Sequence, residues 1–433
     1  MLAPFARSLY KGRVKLTQFP AYIRLWIAST VSDFGTYITT IALSVIVVLR
    51  LGGDSTDVGL VSAARWLPYP VLGLLAGTWV DRRERKPLLV AANFALGLVL
   101  VAIATLGLAR QLTIPILVGL MFVFGALSLV GDVAFQSFVP QLVPRELLVR
   151  ANARIEQSDS VAQTTGPALA GWITQLIAAP AALLVDAASY FVSGVVVATI
   201  PMERVAAAQS SATGSLGRSI RDGISWVYRH PRLAPVALTT HLWFLFFSMF
   251  GTVFTVYALR ERSLGADGLG IVLAFAGVGA VLGTLATARI GESLGVGPTM
   301  ILSRCLYPVA FVIIAAAGFV SVGDWRAFAA IGLGQFLIGL ALGLEGAQEM
   351  GYEQAVTPNR LMGRTRATIR SINRGVVVVG APLGGLAADR VGNRPTILIT
   401  GAGMVLVVLL MAGSGVRHAR MEDQLSPEEA TAE

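Results

Sequence analysis

Among the ionisable residues that lie inside long apolar stretches of the sequence, where a charge is costly, five are candidates for chemistry. They are Asp33, Arg65, Asp159, His241 and Glu345. Inside a lipid bilayer such a side chain either pairs with a partner or has a role in binding, and a carboxylate there can take up and release a proton. Asp33 lies near the middle of the first apolar stretch, so it is the first candidate for a proton carrier or for recognition of a cationic substrate.

Each candidate also has a purely structural explanation. Asp33 could accept hydrogen bonds from three neighbouring hydroxyls, those of Ser29, Ser32 and Thr36. Arg65 is a candidate counter-ion, but helical rise places it at a different depth from Asp33, so a direct pair is not expected. His241 could titrate near neutral pH, although a single histidine on an apolar helix is more often a packing residue. Asp159 and Glu345 are the next proton-coupling candidates.

The elements that would carry these residues are membrane-spanning helices. Of the 433 residues, 55% are hydrophobic and 14% are charged, whereas soluble proteins carry about 25% charged residues. Apolar runs of about 20 residues, the length of a spanning helix, recur along the chain. Helices satisfy their own backbone groups in hydrocarbon. We predict an all-α membrane protein with twelve spans, at 21–49, 58–80, 88–108, 114–136, 155–177, 181–200, 235–259, 269–289, 299–320, 326–348, 366–388 and 396–416.

A long polar break divides these spans into two sets of six. We predict an N-terminal bundle at 21–200, a linker at 201–234 and a C-terminal bundle at 235–416, between an N-terminal segment at 1–20 and a tail at 417–433. Apolar and basic residues alternate at helical spacing in the second half of the linker, which predicts an interfacial amphipathic helix. Most of the 34 Lys and Arg residues fall on one side of the spans. This asymmetry predicts a multi-pass protein of the plasma (inner) membrane with both termini in the cytoplasm.

A duplication is visible within the sequence. The segment at 143–155 is repeated at 357–369, and the match continues into the following span. Pro144, Arg150 and Gly166 correspond to Pro358, Arg364 and Gly380, and each pair of numbers differs by 214. This offset is about half the chain, so the fifth and eleventh spans are equivalent positions in two parallel six-helix repeats.

The loop between the second and third spans contains a candidate gate. It has Gly77, then Asp81 and Arg82, and then Arg85 and Lys86. Gly77 would allow close helix approach, and Asp81 and Arg82 could form charge-assisted bonds across the cytoplasmic ends of neighbouring helices. Such a lock would hold that side closed in one state and break in the other. An ordinary positively charged loop is the alternative.

Together with the repeat, this loop resembles the major facilitator superfamily, whose inner loop between the second and third spans carries a GxxxDRxGRR/K signature. Glu84 stands where the family usually has glycine. The resemblance implies two pseudo-symmetric six-helix bundles around a central substrate path. A similar run that includes Gly385, Asp389 and Arg390 falls on the outer side, before the last span. There we expect a turn with polar caps, not a gate.

Glycine and proline mark two equivalent helices as points of bending. Gly166, Pro167 and Gly171 lie in the fifth span, and Gly380, Pro382 and Gly385 lie in the eleventh. The first set resembles the GPxxGG element of the family's antiporters. Proline removes a backbone hydrogen bond and small residues admit a neighbouring helix, so a hinge is expected. Tight packing without a hinge is the alternative.

The short patterns at 19–35, before the fifth span and before the eleventh resemble the branch that contains enterobactin, macrolide and other drug exporters. This resemblance implies a proton-coupled exporter of amphipathic organic compounds, drugs or siderophores, that works by alternating access. An uptake carrier or facilitator for a small metabolite or lipid is the alternative. We expect the N-terminal half to carry most of the proton coupling, since Asp33 and Asp159 both lie there.

Other classes of function lack their signatures in this sequence. The three lysines, Lys11, Lys15 and Lys86, are outside any GxxxxGK[ST] loop, so an ATP site of that type is excluded. The single cysteine, Cys305, allows no internal disulfide. Clusters with metal-ligand or nucleophile spacing are absent. We expect a monomer that is not an enzyme and binds no cofactor, metal or nucleic acid, with a small molecule, protons and the lipid bilayer as its partners.

Overall fold

The computed structural model describes residues 15–201 and 216–419. Helices account for almost all of this part of the chain, and it contains no strand. The N-terminal set comprises α1 Pro20–Val45, α2 Ser55–Trp66, α3 Pro68–Asp81, α4 Arg85–Leu108, α5 Ile114–Leu142, α6 Leu148–Ile177 and α7 Ala179–Ala198. The C-terminal set comprises α8 Leu216–Arg229, α9 Leu233–Val256, α10 Gly265–Leu294, α11 Val296–Ala316, α12 Trp325–Ala355, α13 Asn359–Val391 and α14 Asn393–Gly413.

Within the two described ranges, ten helical segments are long and apolar enough to cross a membrane. Two further stretches run alongside them: α2 together with α3 forms one, and α6 forms the other. The total is consistent with the twelve predicted spans. The predicted span at 58–80 corresponds to α2 and α3, which meet at Leu67; the backbone of Leu67 stays in the right-handed α region, so the span has only a local break in its helix hydrogen bonds. Pro68 and Pro70 follow this break directly, and neither can donate the backbone hydrogen bond that would continue the ladder.

The long helices alternate in direction between two ends of the molecule. We call the end where the described chain begins and finishes the proximal end, and the opposite end the distal end. Helices α1 and α9 both finish at the distal end in a single π-helical turn, Ile46–Arg50 and Tyr257–Glu261. The same irregular ending at equivalent helices of the two halves is further evidence of the duplication.

The two halves pack together through equivalent helix pairs. Helix α6 packs against α10, and α13 packs against α2. Glycines make both contacts close: a Cβ on Gly171 would lie 2.9 Å from the Cα of Gly270, and one on Gly385 would overlap the backbone of Ser55. These contacts place the two halves in the arrangement that the repeat predicts.

Most of the hydrogen bonds between the halves, within the part of the chain that the structure describes, lie in the distal part of the molecule; one further bond, from the Thr164 hydroxyl to the Gly277 carbonyl (3.3 Å), lies midway along α6 and α10. The guanidinium of Arg260 donates to the carbonyl oxygens of Val48 (3.0 Å) and Gly53 (2.9 Å). Asp389, at the end of α13, accepts from the backbone N–H groups of Ser55 (3.1 Å) and Thr56 (2.9 Å). We call the contacts of Arg260 and Asp389 the distal seal.

A polar cap is what the sequence predicts for the run around Asp389, and the structure adds that the capped helix lies in the other half. The Asp389 carboxylate also accepts from the Thr56 hydroxyl (2.5 Å), so it caps the first turn of a helix in the other half. The four N–H groups at the start of a helix have no partner within the helix, and a carboxylate there is stabilised by the helix dipole. Asn393 adds to the seal by contacting Ser55 (2.8 Å) and Glu261 (2.8 Å).

The linker helix α8 lies at the proximal end against α13. Its Gly223 sits directly over Arg364 and Thr368 of α13, and Asp222 forms an ion pair with Arg364 at 2.9 Å. Val227 is fully buried with Leu233 of α9 in a small apolar cluster. The helix therefore presents an apolar side to the C-terminal half. Residues 1–14, 202–215 and 420–433, which belong to the predicted N-terminal segment, linker and tail, lie outside the described residues.

Candidate functional site

The C-terminal half contains a cavity of about 430 Å³ among α9, α11, α12 and α13. Its lining includes four arginines and three glutamates together with Trp243 and Phe244. The charged residues are Arg304, Arg366, Arg370, Arg374, Glu345, Glu349 and Glu353. Glu353 and Arg366 lie towards the proximal ends of α12 and α13, so the cavity extends towards the end that lacks the distal seal.

A buried ion pair forms part of the wall of this cavity. Nε of Arg304 lies 2.5 Å from Oε1 of Glu345, and the two residues are 1% and 6% exposed. Nη2 of Arg304 also donates to the hydroxyl of Thr240 at 2.7 Å. Glu349 completes the group, because it accepts from Thr240 at 2.6 Å and lies 3.7 Å from Arg304.

This group holds a proton-accepting carboxylate where removal of its partner is costly. Breaking a buried ion pair by removing one partner costs about 3–5 kcal/mol, since the other charge is left without compensation. Protonation of Glu345 would have the same electrical effect as removing its charge, and Glu349 is the carboxylate close enough to take over the Arg304 guanidinium. The arrangement can therefore respond to a proton by a local shift of one arginine.

Glu345 is one of the proton-coupling candidates that the sequence predicts, whereas its partner Arg304 is not among them. The signal was present, because Arg304 lies within the predicted span at 299–320. A charge inside a span marks a functional or paired residue, and this rule, applied to Asp33, applies equally to Arg304. What the sequence did not indicate is the pairing, which joins α11 to α12.

Arginines of α13 form a second feature of the same cavity. Arg366, Arg370 and Arg374 are four residues apart, so they lie on one face of the helix. The guanidinium of Arg374 stacks 3.8 Å from the ring centre of Trp66 in the other half, and 5.6 Å from that of Tyr69. This cation–π contact therefore connects the arginine face of α13 to the N-terminal half.

The N-terminal half has its own cavity of about 280 Å³, and Asp33 lines it. The alternative explanation for Asp33 receives no support from the nearby hydroxyls. Those of Ser29 and Thr36 donate to the backbone carbonyls of Trp26 and Ser32 instead. Asp33 is half-buried in a wall that also contains Asn93 and Ser128, and among the described residues no hydrogen bond to its carboxylate is formed.

Two other aspartates of this half have defined partners. Asp132 lines the same cavity and accepts from the phenol of Tyr69 at 2.7 Å. Asp186 is fully buried and accepts from Thr39 and from Ser189 (2.9 Å). Both carboxylates therefore tie helices together, and they leave Asp33 as the unbonded carboxylate of the cavity.

Arg65 and Asp159 do not join either cavity wall. The guanidinium of Arg65 lies over the rings of Trp66 (5.4 Å) and Phe124 (5.6 Å) and forms no ion pair with Asp33. Asp159 is exposed on α6. It is near enough to Asp33 for the two charges to interact. The structure thus brings Asp33 and Asp159 to one region and Glu345 to another, in the opposite half.

His241 is held by two hydrogen bonds. Its Nδ1 lies 2.6 Å from the side-chain oxygen of Asn373, and its Nε2 lies 2.7 Å from the phenol of Tyr228. Burial raises the pKa of the Tyr228 phenol, which keeps it protonated and able to donate. A neutral His241 with its proton on Nδ1 satisfies both contacts. This geometry fits the packing explanation and connects α9 to the linker helix.

The hydrogen bonds described for the candidate gate lie within the N-terminal half. A Cβ on Gly77 would meet no atom within 4 Å, so the expectation of close helix approach there is wrong for this conformation. Arg82 is exposed, Arg85 contacts the Arg83 carbonyl (3.4 Å) and Lys86 donates to the Ile200 carbonyl (2.7 Å). The side chain of Asp81 lies outside the described residues. A gate of this kind is expected to engage only when the proximal ends meet.

The glycine and proline residues of α6 and α13 lie at close contacts between helices. Gly166 faces the ring of Tyr37 at 2.7 Å from its Cβ position, and Gly380 faces the backbone of Leu245 at 2.8 Å. Pro167 and Pro382 both lie inside continuous helices. Gly166 and Gly380 thus contact helices of their own half, whereas Gly171 and Gly385 contact the other half. A hinge at the prolines stays a prediction.

Comparison with known proteins identifies the family. The sequence profile described as transmembrane secretion effector, one of the major facilitator families, matches residues 16–432. The chain belongs to the major facilitator superfamily. This transporter fold accounts for the paired bundles and for the linker helix that joins them.

Several bacterial relatives match this transporter over most of their length. The uncharacterised MFS-type transporter YfiS of Bacillus subtilis is 23% identical over 91% of this chain and 93% of its own. Macrolide efflux protein A of Streptococcus pyogenes is 18% identical over 90% and 94%. The multidrug efflux pump Tap of Mycolicibacterium fortuitum is 23% identical over 88% and 92%.

Solved transporters share the fold at low sequence identity. The nucleoside transporter NupG superposes with a TM-score of 0.71 at 14% identity, over 91% of this chain and 98% of its own. A bacterial ferroportin homologue in an inward-facing state gives 0.70 at 16% identity, over 92% and 99%. One in an outward-facing state gives 0.59 at 17% identity, over 94% and 100%.

Proposed function

We propose that this major facilitator transporter is a secondary exporter of amphipathic organic compounds that exchanges its substrate for protons by alternating access. The observation that carries the proposal is the buried pair of Arg304 and Glu345 in the wall of a cavity that extends to one end of the molecule. The efflux proteins among the relatives support export, although the solved neighbours include a transporter described only as carrying nucleosides.

The conformation supports the alternating-access part of the proposal. The halves are joined at the distal seal, and the cavity walls reach the proximal ends of α12 and α13. If the positive-inside asymmetry orients the chain as predicted, the proximal end faces the cytoplasm and this is the inward-facing state. The closer fit to the inward-facing ferroportin homologue than to the outward-facing one agrees with this assignment.

The proton would act through the buried group. With Glu345 ionised, its charge holds Arg304 in place between α11 and α12. When a proton binds a carboxylate oxygen of Glu345, that attraction is lost, and Arg304 is drawn towards Glu349 and the Thr240 hydroxyl of α9. Three of the four helices that line the cavity, α9, α11 and α12, would then be connected differently. Asp33 gives the N-terminal cavity a second proton-accepting carboxylate.

The test is a transport assay in inverted membrane vesicles, whose lumen corresponds to the cell exterior. Energised vesicles should accumulate a fluorescent amphipathic compound, and a protonophore should abolish the accumulation. Glu345→Gln should stop this uphill transport while leaving exchange of the compound down its own gradient. Glu146→Gln, at an exposed position, is the matched control and should transport normally.

Two outcomes would reject the proposal. Accumulation in right-side-out vesicles but not in inverted ones would identify an uptake carrier. Uphill transport by Glu345→Gln at the rate of the unmodified protein would remove the buried pair from the coupling mechanism.

A further inference from the structure

The arginine face of α13 has more positive charge than its surroundings neutralise directly. Arg366, Arg370 and Arg374 all line the C-terminal cavity. Among the described residues, none of them forms an ion pair within 4.0 Å; the pairs formed nearby are those of Arg304 with Glu345 and Glu349. Glu345 and Glu349 are thus already engaged by Arg304. The remaining carboxylates interact with the arginine face only at longer range, Glu353 with Arg366 and Asp132 with Arg370 and Arg374.

Buried donors without acceptors point in the same direction. Nη2 of Arg366 is buried and has no hydrogen-bond partner among the described residues, and the same holds for Nη1 of Arg304. Buried polar groups are nearly always hydrogen-bonded, and an unsatisfied donor next to a cavity indicates a missing acceptor. Arg304 is only 1% exposed, so bulk water does not satisfy it.

The cavity also offers a surface for an aromatic or apolar group. Trp243 and Phe244 line it, with their rings 4.8 Å apart and perpendicular. Arg374, which lines the cavity, stacks against Trp66 of the N-terminal half. Aromatic faces and guanidinium groups in one cavity suit a molecule that has a flat apolar body and a separate charged group.

We propose that the transported compound is an amphipathic organic acid, whose carboxylate or similar planar oxyanion binds Arg366 and Arg370 while its apolar body rests on Trp243 and Phe244. This inference rests on the proposed export function and narrows its substrate class from amphipathic compounds in general to anions and zwitterions. A guanidinium presents paired N–H donors that match two oxygens of a carboxylate, which a cationic compound lacks.

The nearby arginine Arg364 provides an internal comparison. It lies on the same helix but is directed at the linker, where it pairs with Asp222 at 2.9 Å. If these arginines served only to mark the cytoplasmic end of the helix, replacing any one of them would have the same effect on substrate binding. Substrate recognition would instead depend on Arg366 and Arg370 and be indifferent to Arg364.

The experiment measures equilibrium binding to the purified full chain in nanodiscs, without a proton gradient. Three forms of one fluorescent compound serve as probes: norfloxacin, which carries a carboxylate and an amine, its methyl ester, which lacks the carboxylate charge, and its N-acetyl derivative, which lacks the amine charge. We expect norfloxacin and the N-acetyl derivative to bind at least tenfold more tightly than the ester.

The variants assign this preference to the arginines. Arg370→Gln alters an exposed side chain and should weaken binding of both carboxylates about tenfold, while binding of the ester stays unchanged. Arg366→Lys keeps the charge but loses the paired donors and should weaken it by a similar factor. Arg364→Gln should bind all three probes as the unmodified protein does. Thermal unfolding of each variant shows whether it is folded.

The outcomes separate this inference from the export function. Binding of the ester as tight as that of norfloxacin, no binding of either carboxylate, or unchanged binding in folded Arg370→Gln would each overturn the inference. Proton-driven export of cationic compounds together with any of these results would leave the export function standing. Selective binding of the carboxylates without proton-driven transport would reject the export function and retain the anion site.

Discussion

The distal seal offers the sharpest test of how the two halves are held together. Asp389 of α13 accepts two backbone N–H groups and one hydroxyl at the start of α2. Replacing it with alanine removes the acceptor and its negative charge from that helix end. Because the contact joins the two halves, it exists only while the distal end is closed, so Asp389→Ala should favour opening of that end.

The size of the effect follows from the type of contact. Replacing a capping side chain by alanine costs about 0.5–2 kcal/mol, and the dipole interaction of an exposed carboxylate is included in this range. Asp389 is exposed but accepts three hydrogen bonds, so we take the upper part of this range, about 1–2 kcal/mol, for the loss of stability of the closed state. The ratio of closed to open molecules should therefore fall by a factor of about 5–30.

The measurement is a distance between two spin labels across the distal end. Cys305 is the single cysteine, so Cys305→Ser gives a cysteine-free background. Labels at Gln111 and Val322 would lie in distal loops of the two halves, both at exposed positions. Pulsed electron–electron double resonance then reports the short distance of the closed seal and the longer distance of the open state. Asp389→Ala should raise the fraction of the longer distance.

Asp324→Ala is the matched control. Asp324 caps the distal start of α12 by accepting from the N–H of Arg326 at 2.8 Å, which lies in the same half. Its loss should weaken the helix end without changing the distance between the halves. If Asp389→Ala gave the same distance distribution as Asp324→Ala, the Asp389 contact would contribute nothing to closure and our account of the seal would be wrong.

Three further predictions concern stability and coupling. Gly171→Ala should lower the melting temperature, since its Cβ would lie 2.9 Å from the Gly270 Cα, whereas Gly77→Ala, in open space, should leave it unchanged or raise it slightly; equal shifts would contradict this contrast. Glu345→Ala should destabilise the fold by about 3–5 kcal/mol, and adding Arg304→Met should recover much of that loss, as followed by unfolding in detergent; no recovery would mean that the unpaired charge is not the cause. Asp33→Asn should abolish proton-driven efflux while expression stays intact, and normal transport by this variant would exclude Asp33 from the mechanism.

Periodicity and composition alone gave the helical membrane architecture. Long apolar runs require helices in hydrocarbon because no other local structure satisfies the backbone there. The offset between Pro144 and Pro358 likewise predicted equivalent fifth and eleventh helices, and α6 and α13 occupy matching positions against α10 and α2. Both inferences use information that is local or that repeats along the chain. The break at Leu67 was missed, although Pro68 and Pro70 signalled it.

The candidate site was predictable in its residues but not in its pairs. A charge in an apolar run identifies itself, so Asp33 and Glu345 could be selected from the sequence. Their environments could not, because Arg304 meets Glu345 only through the packing of α11 against α12. The expectation that the N-terminal half carries most of the coupling came from counting carboxylates, and counting cannot show which of them is buried beside an arginine.

The sequence by itself determined the class of the protein: a two-fold repeated bundle of membrane helices with charges in its interior. Only the tertiary structure decided which charges neutralise one another and which remain for a substrate. It joined Arg304 to Glu345, left Arg366 with an unsatisfied donor and placed Asp389 at the start of a helix in the other half. Apolar length acts within a helix, whereas hydrogen bonds between distant segments depend on how the helices pack.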